Sequence, residues 1–159
     1  MNYPKLYLEK IHSGEEVVSE KVKVVYEREV GWMLNPPEDF PYYFDEQEGI
    51  RHIEFVERFC KHSKGKFAGK NIYLELFQKA KFQLFFGWKE KATGKRRFRE
   101  VVDIRGRKCG KSTETAAAEW DALVMTKNKV RKFIAQRIRK TRRILSTKSV
   151  LICVCNLLR

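Results

Sequence analysis

The chain has 159 residues, carries 34 Lys and Arg against 20 Asp and Glu, and has a formal net charge of +14. That length suits one domain, or one domain and a tail, and is enough to bury a core. Eleven of the bases, Lys127, Lys129, Arg131, Lys132, Arg137, Arg139, Lys140, Arg142, Arg143, Lys148 and Arg159, follow Thr126, where no acid remains, so residues 1–125 hold 23 bases against 20 acids and are nearly balanced. Cys60, Cys109, Cys153 and Cys155 form no C-x-x-C pair and share no histidine spacing, which argues against a zinc site and for reduced thiols. The start has no apolar core of signal-peptide length, and the longest apolar run, Val150 to Cys155, is too short to span a bilayer. A soluble, unexported protein is expected.

From residue 3 to 31, Leu6, Leu8, Ile11, Val17, Val18, Val22, Val24 and Val25 recur at partly helical spacing, broken by Ser13-Gly14. Two helices joined at the glycine are predicted, although the valines also suit a strand. Asn35-Pro36-Pro37-Glu38-Asp39 and Pro41 make the next segment a loop. An amphipathic helix is predicted over 45–61, with Asp45 and Glu48 as a capping box and Ile50, Ile53, Val56, Phe59 and Cys60 on its apolar face. His52 and His62 read as structural or solvated histidines, and Ser63-Lys64-Gly65 as the close of that helix.

After the turn Phe67-Ala68-Gly69-Lys70-Asn71, apolar positions 74, 77, 82, 85 and 86 predict a buried helix ended by Gly87. Lys91-Ala92-Thr93-Gly94-Lys95 is turn chemistry, and 96–104 reads as a strand. Next come Arg105-Gly106-Arg107-Lys108-Cys109-Gly110-Lys111-Ser112-Thr113 and a helix-forming run from Glu114. A phosphate needs backbone N–H groups, a cation on its outer oxygens and a hydroxyl for Mg²⁺. Gly110, Lys111 and Ser112 at the mouth of a helix offer those parts, so the stretch reads as a nucleotide-binding phosphate loop. The usual form G-x-x-x-x-G-K-[ST] wants a glycine where Arg105 stands.

Three features in order resemble the large subunit of tailed-phage terminases, the ATP-driven and DNA-cutting motor that packages viral DNA. Leu74-Glu75-Leu76-Phe77-Gln78 resembles that family's L-x-x-[WF]-Q element. Phe86-Gly87-Trp88, a basic turn and Arg96-Arg97-Phe98-Arg99 resemble its next segment, and Arg107 to Thr113 is similar to its deviant loop R-K-x-G-K-S-T. Tyr43-Phe44-Asp45, the following helix and Phe67-Ala68-Gly69 extend the resemblance, which spans residues 3–125.

The resemblance implies ATP and Mg²⁺ as cofactors, bound by Gln78 and by Arg107, Lys108, Cys109, Gly110, Lys111, Ser112 and Thr113. Within that set Gln78 reads adenine, Lys111 holds the β- and γ-phosphates, Ser112 binds Mg²⁺, and Arg107 acts near the γ-phosphate or in coupling. The implied fold is α/β: a helical region over 1–66, the start of a RecA-like phosphate-loop ATPase core over 67–125, and a basic helical tail over 126–159. Double-stranded DNA, a small terminase subunit and a portal are the partners implied for a full-length member. The host cytoplasm is the implied location, with no membrane.

An ATPase also needs a carboxylate on a second strand, yet no Asp or Glu follows Asp121, and the nuclease's acid cluster is missing. The chain is therefore expected to be the front end of such a motor, binding nucleotide without turning it over. The acid-free tail reads as off-frame: shifted back one base, the codons of Arg131 to Arg143 permit EIYCAAYKKDQT, which resembles the strand and A-x-K-K-D-Q of the family. Taken literally, Val130, Phe133, Ile134, Ile138, Thr141, Ile144 and Leu145 place a basic amphipathic helix over 127–145. That makes a small DNA- or RNA-binding protein the alternative.

Overall fold

A computed structural model describes residues 1–63, 65–104, 110–125 and 150–152. Arg107, Lys108 and Cys109, and the basic helix expected over 127–145, lie outside the described residues. The protein is helix-rich with short strands. Helix α1 (Tyr3–His12) is capped by Asn2, whose Oδ1 accepts from the Lys5 N–H at 3.0 Å, and it stops at Ser13-Gly14 as its sequence predicts. Helix α2 (Glu20–Leu34) ends ahead of Pro36, which cannot continue it; Val22, Val24 and Val25 are helical, whereas Val17 and Val18 lie in the connection before it.

Strand β1 (Tyr42–Phe44) leads into helix α3 (Glu46–Phe59). Asp45 caps α3 by accepting from the Glu48 N–H at 3.0 Å. Its own N–H donates to the Gly87 carbonyl at 2.8 Å, in place of the Glu48 side chain of a full capping box. Helix α3 closes at Phe59, earlier than the glycine at 65 suggested. There Cys60 turns extended, its carbonyl accepts from the Ile72 N–H at 2.9 Å, and Lys61 bridges Asn71. Helix α4 (Leu76–Gly87) begins with a capping box formed by Glu75 and Gln78.

Strand β2 (Trp88–Glu90) pairs antiparallel with β1, Phe44 facing Trp88 and Tyr42 facing Glu90. The pair clasps the base of the α3 and α4 hairpin. Gly87 ends α4 as expected, although without a left-handed backbone. It is required by close approach, since a Cβ there would sit 2.8 Å from the Phe44 ring and 2.9 Å from the Asp45 carbonyl.

The strand expected over 96–104 is only β3 (Val102–Ile104). Arg96 and Arg97 instead return alongside β2, with the Arg97 N–H donating to the Trp88 carbonyl at 2.9 Å, and Phe98 is buried. Helix α5 (Lys111–Met125) follows, and β4 (Val150–Ile152) pairs antiparallel with β3, Ile104 facing Val150.

Among the described residues one buried cluster runs from Tyr7 to Ala117, drawing side chains from both the 1–66 and the 67–125 sections. Its centre is aromatic. Phe40 and Phe44 meet Trp88 edge-on at 5.6 and 5.3 Å, and Phe85 meets Phe86 at 4.8 Å. Gln83, fully buried on α4, joins three elements: its Oε1 accepts from the Tyr3 N–H at 2.7 Å, and its Nε2 donates to the Met1 and Glu46 carbonyls at 3.1 and 3.2 Å. Among the described residues, no helix is long and apolar enough to cross a membrane.

Candidate functional site

Strand β3 and helix α5 stand on either side of the loop singled out by its sequence. Gly110, with φ of +70°, turns the chain into α5, and its carbonyl accepts the helix's first bond from the Glu114 N–H at 3.0 Å. The left-handed backbone explains a glycine here. An α-helix leaves its first N–H groups without intrahelical acceptors and places partial positive charge there. Lys111 is half-buried at the first helical position, Ser112 is exposed and Thr113 is half-buried.

Helix α4 braces both shoulders of this loop. Lys81 Nζ lies 2.8 Å from Asp103 Oδ2 in β3 and also pairs with Glu114 Oε1 in the first turn of α5. One turn earlier, Gln78 Nε2 donates to Glu114 Oε2 at 2.8 Å. The Oε1 of Gln78 accepts from the Glu75 N–H at 2.9 Å, so its amide is oriented from both ends. Glu114 is 4% exposed; a carboxylate so buried is tolerated because an ammonium and an amide both meet it and the N-terminal end of the helix dipole favours its charge.

Sequence reasoning picked out Gln78, Lys111 and Ser112 and missed Lys81, Asp103 and Glu114. The signal available was Lys81 itself, a charge set between Ala80 and Phe82 in an otherwise apolar stretch, where burial demands a partner.

A second polar group holds α5 further along. His52 Nδ1 on α3 lies 2.6 Å from Asp121 Oδ2, and the imidazole stacks on Phe86 with centroids 3.8 Å apart and planes at 14°. This agrees with the structural role expected of His52. The Arg96 guanidinium lies 5.1 and 5.3 Å above Phe85 and Phe86. Burial pulls its pKa below the usual value against the opposing charges of Asp121 and Glu48. Burial, aided by Asp121, pushes the Cys60 thiol up, which makes it a poor nucleophile. Arg97, paired with Glu29 Oε2 at 2.9 Å, is ringed by Trp32, Tyr42, Trp88, Phe40 and Phe98. Among the described residues no three His, Cys, Asp or Glu side chains gather to hold a metal ion.

Compared with protein-family models, curated proteins and solved structures, the chain matches none.

Proposed function

We propose that this chain binds Mg·ATP as the nucleotide-binding part of a tailed-phage terminase large subunit. The observation that carries the reading is the order strand β3, the glycine-containing stretch, left-handed Gly110, then α5 opening on Lys111 and Ser112. Backbone N–H groups of the first turn and the Lys111 ammonium meet phosphate oxygens, and the Ser112 hydroxyl supplies one ligand to the nucleotide's Mg²⁺. Gln78 keeps one amide hydrogen and one Oε1 lone pair beyond its bonds to Glu114 and Glu75, a donor and acceptor side by side as the edge of adenine requires. Arg107 acts near the γ-phosphate, as the family resemblance implies. Phosphoryl transfer needs positioning plus charge stabilisation, including a second carboxylate and a group that orients water, and no acid follows Asp121. Binding without appreciable turnover is expected. DNA, a small subunit and a portal belong to this reading as partners of the full-length family member.

The test is nucleotide binding by titration calorimetry with Mg·ATP, on the unmodified chain and on Lys111→Ala. Charge-assisted bonds contribute about 1.5–3 kcal/mol, so binding should weaken roughly 10- to 100-fold in the variant. Equal affinities would sink the phosphate-site assignment, and steady ATP turnover by the unmodified chain would sink the claim that it lacks hydrolytic parts. The acid-free run after Thr126 favours a second reading, a basic nucleic-acid binder, in which affinity disappears when that run is deleted.

A further inference from the structure

The charge of residues 1–125 is small in sum yet uneven in place. From Arg58 to Leu74 the chain carries Arg58, Lys61, Lys64, Lys66 and Lys70 and no acid, a local excess of five that exceeds the net of three over the first 125 residues. This segment leaves the end of α3, doubles back on itself and leads into α4. Lys61 bridges Asn71, the His62 N–H donates to the Lys70 carbonyl at 2.9 Å, and the Gly69 N–H donates to the His62 carbonyl at 2.8 Å. Asn71 Nδ2 donates to the Glu57 carbonyl at 3.1 Å, so the base of the turn is tied to α3.

Three aromatic rings stand open around this basic turn. Phe59 is 61% exposed, Phe67 48% and Tyr73 75%. Single exposed aromatics are ordinary, but three about one acid-free turn are not. At the turn's tip the Lys66 and Lys70 ammonium groups lie 5.0 and 5.9 Å from the Phe67 ring centre, and His62 lies 5.9 Å from it on centroids. Both ammonium groups lie over the half-exposed ring, so a base that stacks on Phe67 takes their place there and leaves their charge for the adjoining phosphates, which is the chemistry of a single-stranded nucleic-acid platform. A duplex keeps its bases stacked inside and offers no face to such rings.

We infer that the 58–74 turn binds single-stranded nucleic acid, a base stacking on Phe67 while Lys66 and Lys70 meet the adjoining phosphates. The site shares no residue with the nucleotide loop, so either assignment stands or falls without the other.

The test uses the full chain with fluorescein-labelled oligo-dT and a duplex of equal length, read by anisotropy over a salt series, for the unmodified protein, Phe67→Ala and Lys66→Ala/Lys70→Ala. Phe67 is exposed, and unchanged circular dichroism shows that the fold is kept. The tail's bases act equally in every variant. Phe67→Ala should weaken oligo-dT binding roughly 5- to 150-fold, as expected for loss of one stacked base. The double lysine variant should lower the slope of log affinity against log salt by about 1.4, from two phosphate contacts at about 0.7 each. Photo-crosslinks from iodouracil-substituted strands should map to residues 59–73. Crosslinks found only after residue 126, equal oligo-dT affinity for Phe67→Ala, or duplex binding as sensitive to that change as oligo-dT binding, would each overturn the inference. So would a surface of anionic vesicles that loses affinity with Phe67→Ala while oligo-dT does not.

Discussion

Gly49 shows how a residue's meaning depends on what stands opposite it. In a helix interior, replacing glycine by alanine ordinarily stabilises by roughly 0.5–1 kcal/mol. Here a Cβ would fall 2.5 Å from Gln83 Cγ and 2.9 Å from Gln83 Cα, and Gln83 cannot swing away because its amide holds Tyr3, Met1 and Glu46. The clash outweighs the gain. Gly49→Ala should destabilise the protein by about 1–3 kcal/mol, read from the urea midpoint, and a higher midpoint would show that α3 and α4 do not meet this closely. From sequence alone Gly49 looks like a weak point in the helix. The contact that makes it necessary comes from a residue on another helix, at no spacing a local pattern reveals.

At the scale of elements, buried polar groups hold α5 at two places. Lys81 and Gln78 grip its first turn through Glu114, and His52 grips it through Asp121. Breaking a buried pair by removing one partner leaves the other charge uncompensated and costs about 3–5 kcal/mol, whereas removing both charges costs less. Lys81→Met should therefore open α5, seen as faster amide hydrogen exchange over 111–121, while α1, α3 and α4 keep their protection. Lys81→Met combined with Glu114→Gln should recover part of that loss. Additive effects in this cycle would show that the two side chains do not act as a pair. The order of strand, loop and helix is readable from β-branched residues, glycine and an alanine-rich run. The bracing of the loop by α4 is not, because Lys81 meets carboxylates 22 and 33 positions later in the chain.

For the whole molecule, one core joins the N-terminal helices to the segment that ends in the loop, so global stability reports on every part of it. Tyr7 on α1 is buried in the core against Tyr26 of α2, ring centres 4.9 Å apart. Burial, with the Glu16 charge adding to it, pushes the Tyr7 phenol from 10.0 up to about 12. The folded state thus holds this proton more tightly than the unfolded chain. Stability from this group is intact below pH 10 and declines as the pH rises toward 12, by as much as about 2–3 kcal/mol. Tyr7→Phe, which has no proton to lose, should narrow the fall in urea midpoint between pH 9 and pH 11.5. An identical fall in both proteins would show that Tyr7 ionises as freely in the fold as outside it.

Local chemistry determined where the helices lie to within a few residues: Asp45 caps, proline bars continuation, and apolar residues recur with the helical period. Those effects act within a few residues, so a linear reading captures them. Only the tertiary structure decided that β1 pairs with β2 across two intervening helices, that Gly87 is needed by the Phe44 ring, that Arg96 and Arg97 leave the expected strand for an aromatic cluster, and that Lys81 ties both ends of the loop together. Each of these joins residues far apart in the chain through burial or charge, and neither force leaves a spacing in the sequence by which the partner can be known.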